Sequence, residues 1–164
     1  MNVGASSPEE IGLFFSWGNS PGHAEGAGYD FSDEVYNETP GAAIKANLTL
    51  AEDMARQSLG SPWRMPTAAE FKELVDNCTS VWTTQNGVTG RLFTSNVNGN
   101  SIFLPAAGYY DGTTLEERGV EGCYWASTYH SETDDAFYLD FYEKEIIPEN
   151  YISRSTGQLV RAVQ

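Results

Sequence analysis

The chain has 164 residues, of which 40% are apolar and 13% aromatic, which is enough for one packed core and too much for a disordered chain. Its formal net charge is −14, because 23 Asp and Glu residues outnumber 9 Lys and Arg residues. This balance argues against nucleic acid as a partner, since binding a phosphate backbone needs clustered Lys and Arg side chains.

The N-terminal segment carries no recognisable targeting signal. Met1 is not followed by a basic and then an apolar stretch, as it would be in a signal peptide. No apolar run reaches the roughly 18 to 20 residues that a membrane-spanning helix requires. We therefore predict a soluble chain without direct membrane insertion. Residues 2–5 resemble the middle of a folded segment, which leaves room for an upstream strand or export signal.

The first predicted helix follows a long loop over residues 18–40, where Gly, Pro, Asn and Ser recur without a usable period. Thr49 and Glu52 form a capping-box pattern, in which each side chain satisfies a free backbone amide of the other residue. An apolar stripe comes next, and Gly60 followed by Pro62 ends it. This pattern predicts a short amphipathic helix between Thr49 and Gly60.

A second helix is predicted after the segment 61–66. Thr67 and Glu70 repeat the capping-box pattern, and apolar residues from Phe71 onward share one helical face. The apolar spacing stops near Asn77. We therefore predict two short helices in the first half of the chain.

From Trp82 onward the pattern changes to strands and tight turns. Asn-Gly dipeptides, which favour two-residue hairpin turns, occur at 86–87 and 98–99. The second dipeptide lies between residues 91–94 and 101–104, which both have strand composition. This arrangement predicts a β-hairpin.

Residues 136–141 alternate in the manner of a strand with one apolar face. The predicted core face comprises Phe137, Leu139 and Phe141, and the predicted water face comprises Tyr138, Asp140 and Tyr142. Because neither a repeat nor a linker is visible, the sequence predicts a single α+β domain over residues 1–164 with long loops.

Motifs over nearly the whole chain resemble a known family. The motifs are FFSWG at 14–18, WRMPT at 63–67 with Glu70, WTTQNGV at 82–88, GNSIFLPAAGY at 99–109, YWAST at 124–128 and the closing residues 157–164. They resemble the C-type lectin-like domains of the formylglycine-generating-enzyme subtype in gut Bacteroidales and their phages, also described as a Fibrobacter-type major paralogous domain. The resemblance implies a C-type lectin-like fold, with two short helices and a small twisted antiparallel sheet under long loops.

Some members of this family are the variable proteins of diversity-generating retroelements, in which exposed C-terminal residues change while a framework stays fixed. The resemblance implies a framework at Tyr124, Trp125, Ser127, Ala136, Leu139, Phe141, Pro148, Arg154, Gly157, Val160, Arg161 and Val163. It implies variable positions at Glu132 and at Phe137, although the strand alternation places Phe137 inward. The other implied variable positions are the ones that we take as candidate ligand-binding residues: Tyr129, His130, Asp134, Asp135, Tyr138, Asp140, Tyr142, Asn150, Tyr151, Ser153, Ser155, Thr156 and Gln158.

The chemistry of these candidates suits recognition. Tyrosine supplies a large contact area at a small entropic cost, and short polar side chains add adaptable hydrogen bonds. The alternative for each tyrosine is that its ring packs in the domain while its hydroxyl stays in water. Trp63, Trp82 and Trp125 are predicted to be core anchors.

Catalytic chemistry is not predicted. The namesake enzyme of the subtype uses a closely spaced pair of cysteines, whereas Cys78 and Cys123 are far apart in the chain. These two cysteines permit one disulfide, and we favour two buried free thiols. His23 and His130 are more typical of solvated side chains than of catalytic bases.

No metal and no cofactor are predicted either. Asp134 and Asp135 offer the clustered oxygen atoms that calcium prefers. The residue pairs with which sugar-binding C-type lectins hold calcium are missing, however, and only residues 148–150 loosely resemble one of them. Solvated carboxylates are therefore the preferred interpretation.

The sequence thus predicts a ligand-binding display domain of the receptor-recognition or adhesin type, outside the cell, on a cell surface or on a phage particle. Its partner would be an unidentified surface protein or glycan. The first alternative is a structural or assembly module that oligomerises through the same surface. The second is an enzyme of the formylglycine-generating type.

Overall fold

The secondary structure is mostly strand. A computed structural model describes residues 1–33, 47–130 and 134–164, with 44% strand and 12% helix. The strands are β1 (Leu13–Phe15), β2 (His23–Ala24), β3 (Cys78–Gln85), β4 (Val88–Ser95), β5 (Ser101–Pro105), β6 (Tyr109–Asp111), β7 (Thr114–Glu116), β8 (Gly122–Tyr129), β9 (Asp135–Phe141), β10 (Ile146–Ser153) and β11 (Gln158–Leu159). The helices are a short 3-10 helix (Phe31–Asp33), α1 (Met54–Leu59) and α2 (Ala68–Asn77).

The predicted α+β class is wrong, and so is the small antiparallel sheet of a C-type lectin-like fold. Among the described residues, one sheet has six strands in the order β10-β9-β8-β11-β1-β2, a second joins β3, β4 and β5, and a third joins β6 and β7. The large sheet is mixed, because β11 runs parallel to β8 and pairs Leu159 with Tyr124. Short strands such as β1 and β11 have no readable period, since neighbouring strands rather than their own side-chain pattern hold them in place.

The second predicted helix is confirmed, together with its capping box. The Thr67 hydroxyl accepts a hydrogen bond from the Glu70 amide at 3.2 Å, and the Glu70 carboxylate accepts one from the Thr67 amide at 2.8 Å. The helix that follows, α2, buries Ala68 and Phe71 against the rest of the domain. The capping-box pattern in the sequence was therefore sufficient to predict where α2 begins.

The first predicted helix begins about one turn later than expected. Thr49 and Glu52 do contact each other, with the Thr49 hydroxyl donating to the carboxylate at 2.6 Å, but they close a turn that precedes α1. The N-cap is Asp53, which is buried and accepts from the amides of Arg56 at 2.9 Å and Met65 at 2.8 Å. Because Asp53 serves both the helix and the segment after it, the helix starts at Met54.

The predicted hairpin is confirmed. Strands β4 and β5 pair antiparallel, with Arg91 opposite Leu104 and Thr94 opposite Ser101. The other Asn-Gly dipeptide makes a two-residue turn between β3 and β4, in which Asn86 and Gly87 have φ angles of 48° and 84°. Positive φ at both positions is what a type I′ turn requires, and the sequence meets it.

The predicted water face of β9 is wrong. Leu139 and Phe141 are buried as expected, but Tyr138 and Asp140 are only 5% and 2% exposed. One face of the large sheet packs into a hydrophobic cluster with α2, and the other face packs into a second cluster that contains Tyr138 and residues of α1. Strand alternation assumes one wet face, and here both faces are covered.

The structure also shows the state of the cysteines, the burial of the tryptophans and the character of the helices. Both cysteines are free, with Cys123 buried and Cys78 half-buried, so the preference for two free thiols is confirmed, although only one of them is fully buried. Trp125 is buried as predicted, whereas Trp63 and Trp82 are half-buried. Within the described ranges, neither α1 nor α2 has the length and apolar character needed to cross a membrane.

The ion pair at the start of α2 predicts an acid-sensitive contribution to stability. Two Arg64 guanidinium nitrogens contact the Glu70 carboxylate at 2.6 and 2.7 Å, and together with the Thr67 amide they lower the pKa of Glu70 from 4.5 to about 2. A lowered carboxyl pKa adds stability above pH 4.5 and loses it as the pH falls toward 2. Since the Glu70 side chain is 38% exposed, we expect only about 1 kcal/mol at neutral pH.

Urea unfolding of Glu70→Gln against the parent chain would test this contribution. The stability difference should be present at neutral pH and should fade as the pH approaches 2. Glu73→Gln, at an exposed position of α2, is the matched control and should show no such trend. A Glu70→Gln difference that stays constant with pH would contradict the assignment.

Candidate functional site

The predicted ligand-binding residues separate into two groups along the β8–β9 hairpin and strand β10. At one end, Tyr129 lies opposite Ala136, Tyr151 opposite Phe137, and Ser153 opposite Asp135. At the other end, Asn150 lies opposite Tyr138, and Asp140 is placed opposite Cys123. The strand register therefore builds two distinct sites from a set that the sequence presents as one.

The first site, which we call the aromatic rim, consists of Trp17, Tyr129, His130, Phe137, Tyr151 and Arg154. The His130 ring stacks on Tyr151 with centroids 4.2 Å apart and planes within 14° of each other. Phe137 meets the edge of His130 at 5.1 Å. Because these rings hold one another, the 52% of Tyr151 that is exposed is presented in a fixed orientation.

Arg154 organises the other half of the aromatic rim, which lies on the opposite face of the large sheet, since Tyr129 packs against the second hydrophobic cluster and Phe137 against the first. Its guanidinium lies 5.0 Å from the centroid of the Tyr129 ring and 5.8 Å from that of Trp17, within the range of cation–π attraction. Arg154 also donates to the Asp134 backbone carbonyl at 3.1 Å and to its carboxylate at 3.3 Å. Arg154, which was expected to belong to the framework, therefore holds Asp134 in place just before β9.

Seven of the predicted residues belong to this end of the sheet and are exposed or half-buried: Tyr129, His130, Asp134, Asp135, Tyr151, Ser153 and Ser155. Glu132 lies outside the described residues. Phe137 was placed inward by strand alternation, yet its half-buried ring completes the aromatic rim. His130 is stacked rather than freely solvated, because its neighbours across the strands are aromatic.

Four predicted contact residues are buried and cannot meet a ligand in this conformation: Tyr138, Asp140, Thr156 and Gln158. Tyr138 belongs to the second hydrophobic cluster, and Asp140, two residues further along β9, shares the same face of the strand. Gln158 belongs to β11, which is flanked on both sides by other strands of the large sheet, and Thr156 lies just before it. Their placement depends on sheet order, which the sequence pattern does not reveal.

The second site, which we call the acid cluster, consists of Glu121, Cys123 and Asp140. All three side chains are buried, and one oxygen of each carboxylate and the Cys123 sulfur lie within 4.8 Å of one another. The Asn150 amide donates to Asp140 Oδ2 and to the Tyr138 hydroxyl, both at 2.9 Å. Glu121 and Cys123 were not predicted as site residues, since nothing in their spacing from Asp140 indicates that the three side chains meet.

Burial shapes the acid–base chemistry of this cluster. Removal from water, reinforced by the neighbouring Glu121 carboxylate, raises the pKa of Asp140 to about 7 although the Asn150 hydrogen bond opposes the change. Burial also raises the pKa of the Cys123 thiol well above its usual value, again with help from Glu121. The pKa values of Tyr138 and Tyr142 are raised for the same first reason. Negative charge is thus disfavoured at Asp140 and at Cys123.

Comparison with known proteins found no matching family model, no matching curated protein and no matching solved structure. The aromatic rim and the acid cluster are therefore the observations that bear on function.

Proposed function

We propose that the chain is a ligand-binding domain that contacts a surface protein or a glycan through the aromatic rim. The stack of His130 on the half-exposed Tyr151 carries the proposal. Aromatic side chains that are already ordered lose little conformational entropy when a partner covers them. A pre-stacked tyrosine is suited to packing against a sugar ring or an apolar side chain.

The polar surroundings of the aromatic rim support recognition rather than simple burial. The Ser153 and Ser155 hydroxyls lie 2.9 Å apart beside the rim, and Asp134 is exposed. Short hydroxyl and carboxylate groups around aromatic anchors match the usual composition of binding surfaces. With a net charge of −14, the domain should favour neutral or basic partners.

The resemblance to variable proteins of diversity-generating retroelements also supports this proposal. Seven of the positions that match variable residues gather at the aromatic rim, although they come from three different strands and their loops. On this basis we propose that the domain acts outside the cell, on a cell surface or on a phage particle. We propose no enzymatic activity, since Cys123 and Cys78 pack into different hydrophobic clusters and the paired-thiol chemistry of the subtype's enzyme needs adjacent cysteines.

The alternative of an assembly module has one observation in its favour. Strand β10 is the last strand of the six-stranded sheet and, among the described residues, pairs only with β9. An open strand edge can pair with another chain, and Tyr151 lies on this strand. A second copy would then occupy the position that we assign to an external ligand.

Replacing Tyr151 and His130 together by alanine should weaken ligand capture by at least about tenfold, because aromatic anchors dominate binding energies. The melting temperature should change little, since Tyr151 is half-exposed and the core is untouched. Glycan arrays and panels of surface proteins provide the probes, and circular dichroism provides the melting temperature. Before the variants are compared, these screens have to identify a partner that the parent chain binds reproducibly.

Val97→Ala is the matched control, because Val97 is exposed on the distant β4–β5 turn. Equal loss of capture in Val97→Ala, or full capture in the double variant, would contradict the proposal. A parent chain that is oligomeric in solution, and becomes monomeric in the double variant, would favour the assembly module instead.

A further inference from the structure

We propose that the acid cluster is a binding site for a divalent transition-metal cation, with Zn²⁺ as the best fit among common ions. Glu121 and Asp140 would each contribute one carboxylate oxygen, and Cys123 would contribute its sulfur, all of which already lie within 4.8 Å of one another. This site is separate from the aromatic rim and does not depend on it.

The ligand set selects the class of metal. Calcium and magnesium bind oxygen atoms and avoid thiolates. Zinc and its neighbours accept a mixture of thiolate sulfur and carboxylate oxygen, at about 2.3 Å and 2.0 to 2.2 Å respectively. These bond lengths put neighbouring ligand atoms roughly 3.3 to 3.8 Å apart in a tetrahedral site, so small side-chain rotations from the present positions suffice.

The backbone under the acid cluster is rigid. Cys123 and Asp140 lie directly opposite each other in the β8–β9 ladder. The Glu121 carbonyl accepts from the Gly108 amide at 2.8 Å, and the Glu121 amide donates to the Glu117 carbonyl at 3.0 Å. Ligands held by a hydrogen-bonded backbone are presented in a nearly fixed geometry, and such preorganisation favours metal binding.

An independent observation points to a missing partner. Asp140 is only 2% exposed, and its Oδ1 atom has no hydrogen-bond partner among the described residues. Its other oxygen, Oδ2, already accepts from Asn150. A buried carboxylate oxygen without a partner is costly, and a bound cation would satisfy it. Asn150 would then hold the Asp140 carboxylate in orientation through its hydrogen bond to Oδ2, as groups next to metal-bound carboxylates commonly do.

The electrostatic surroundings also call for positive charge. The Glu121 and Asp140 carboxyl groups and the Cys123 thiol are all acidic, are all buried, and meet within 4.8 Å of one another. Packing carboxylates together in the interior requires either a shared proton or a cation. Metal binding would release the Cys123 thiol proton and the proton shared by the two carboxyl groups to solvent, leaving one thiolate and two carboxylates as ligands.

Cobalt titration of the full chain tests the proposal, because Co²⁺ occupies zinc-type sites and a thiolate ligand gives it a charge-transfer absorption. After treatment with a chelator, the parent chain should bind a single Co²⁺ with this absorption, and Zn²⁺ should displace it. Cys123→Ser should abolish the charge-transfer band, and Asp140→Asn should weaken cobalt binding at least about tenfold. Cys78→Ser, which removes the other free thiol, should leave the band intact.

Circular dichroism shows which variants are folded, and Asp140→Asn, the closest in shape to the parent, keeps the test valid if Cys123→Ser does not fold. Absence of the charge-transfer band in the folded parent chain would overturn the proposal and indicate that Glu121 and Asp140 share a proton. Cobalt binding that is unchanged in both folded variants would also overturn it, since the ion would then lie elsewhere.

Discussion

Replacing Trp125 by alanine is expected to cost about 3 to 5 kcal/mol, as for other large aromatic residues removed from a core. Trp125 is completely buried in β8, and its indole nitrogen donates to the Phe15 carbonyl of β1 at 2.8 Å. Its ring also meets the edge of Tyr138, with centroids 6.1 Å apart. The alanine variant would lose this packing and the hydrogen bond to the Phe15 carbonyl. A loss of this size is a large part of the stability of a small domain.

Urea unfolding monitored by circular dichroism would measure the effect, with Trp82→Ala as the matched tryptophan control. Trp82 is half-buried and contacts Phe141 and Arg91 from outside the core, so we expect a loss of about 1 to 2 kcal/mol. If Trp82→Ala proved as damaging as Trp125→Ala, the central position assigned to Trp125 would be wrong.

Replacing Tyr138 by alanine should cost about 3 kcal/mol, whereas Tyr151→Ala should cost less than about 1 kcal/mol. The two tyrosines look equivalent in the sequence, and both match variable positions of the resembled family. In the structure, Tyr138 is buried against Trp125 and accepts a hydrogen bond from Asn150, while half of Tyr151 faces solvent. The variants should therefore separate stability from ligand capture.

Tyr138→Phe completes this test, because it removes the hydroxyl and keeps the ring. We expect a loss of about 1 kcal/mol, the usual net value of one hydrogen bond, with most of the alanine effect due to the ring. Thermal and urea unfolding of the three variants would provide the comparison. Equal and small losses in Tyr138→Ala and Tyr151→Ala would show that the polar face of β9 is exposed after all.

The parts of the fold that could be predicted are those with a complete local signal. The capping box of Thr67 and Glu70 contains the whole reason why α2 begins where it does, and the Asn86-Gly87 dipeptide supplies both positive φ angles of its turn. At Asn98-Gly99 only the glycine has a positive φ, and the Ser95 amide donates to the Asn100 carbonyl across a longer loop than the predicted two-residue turn. The start of α1 was misplaced, because the decisive partner of Asp53 is the Met65 amide beyond the end of the helix. Local patterns do not include such a partner.

The same distinction between local and long-range signals applies to the two candidate sites. The resemblance to variable proteins, supported by the aromatic and polar composition near Tyr129 and Tyr151, predicted a surface there, and Tyr129 and Tyr151 lie at the same end of the large sheet. The burial of Tyr138 could not be read, since it depends on a second layer over the sheet. The acid cluster was invisible, because Glu121 and Asp140 meet only through the pairing of β8 with β9.

The strand order has a consequence for the time at which the protein can fold. Strand β11 lies inside the large sheet between β8 and β1, so that Phe14, near one end of the chain, pairs with Leu159, near the other. During synthesis, β1 cannot pair with β11 until β11 has emerged from the ribosome. Contacts so distant in sequence are also slow to form. We therefore expect the hairpins to form early and the six-stranded sheet to close last, so that its unpaired strands are exposed to aggregation until β11 is in place.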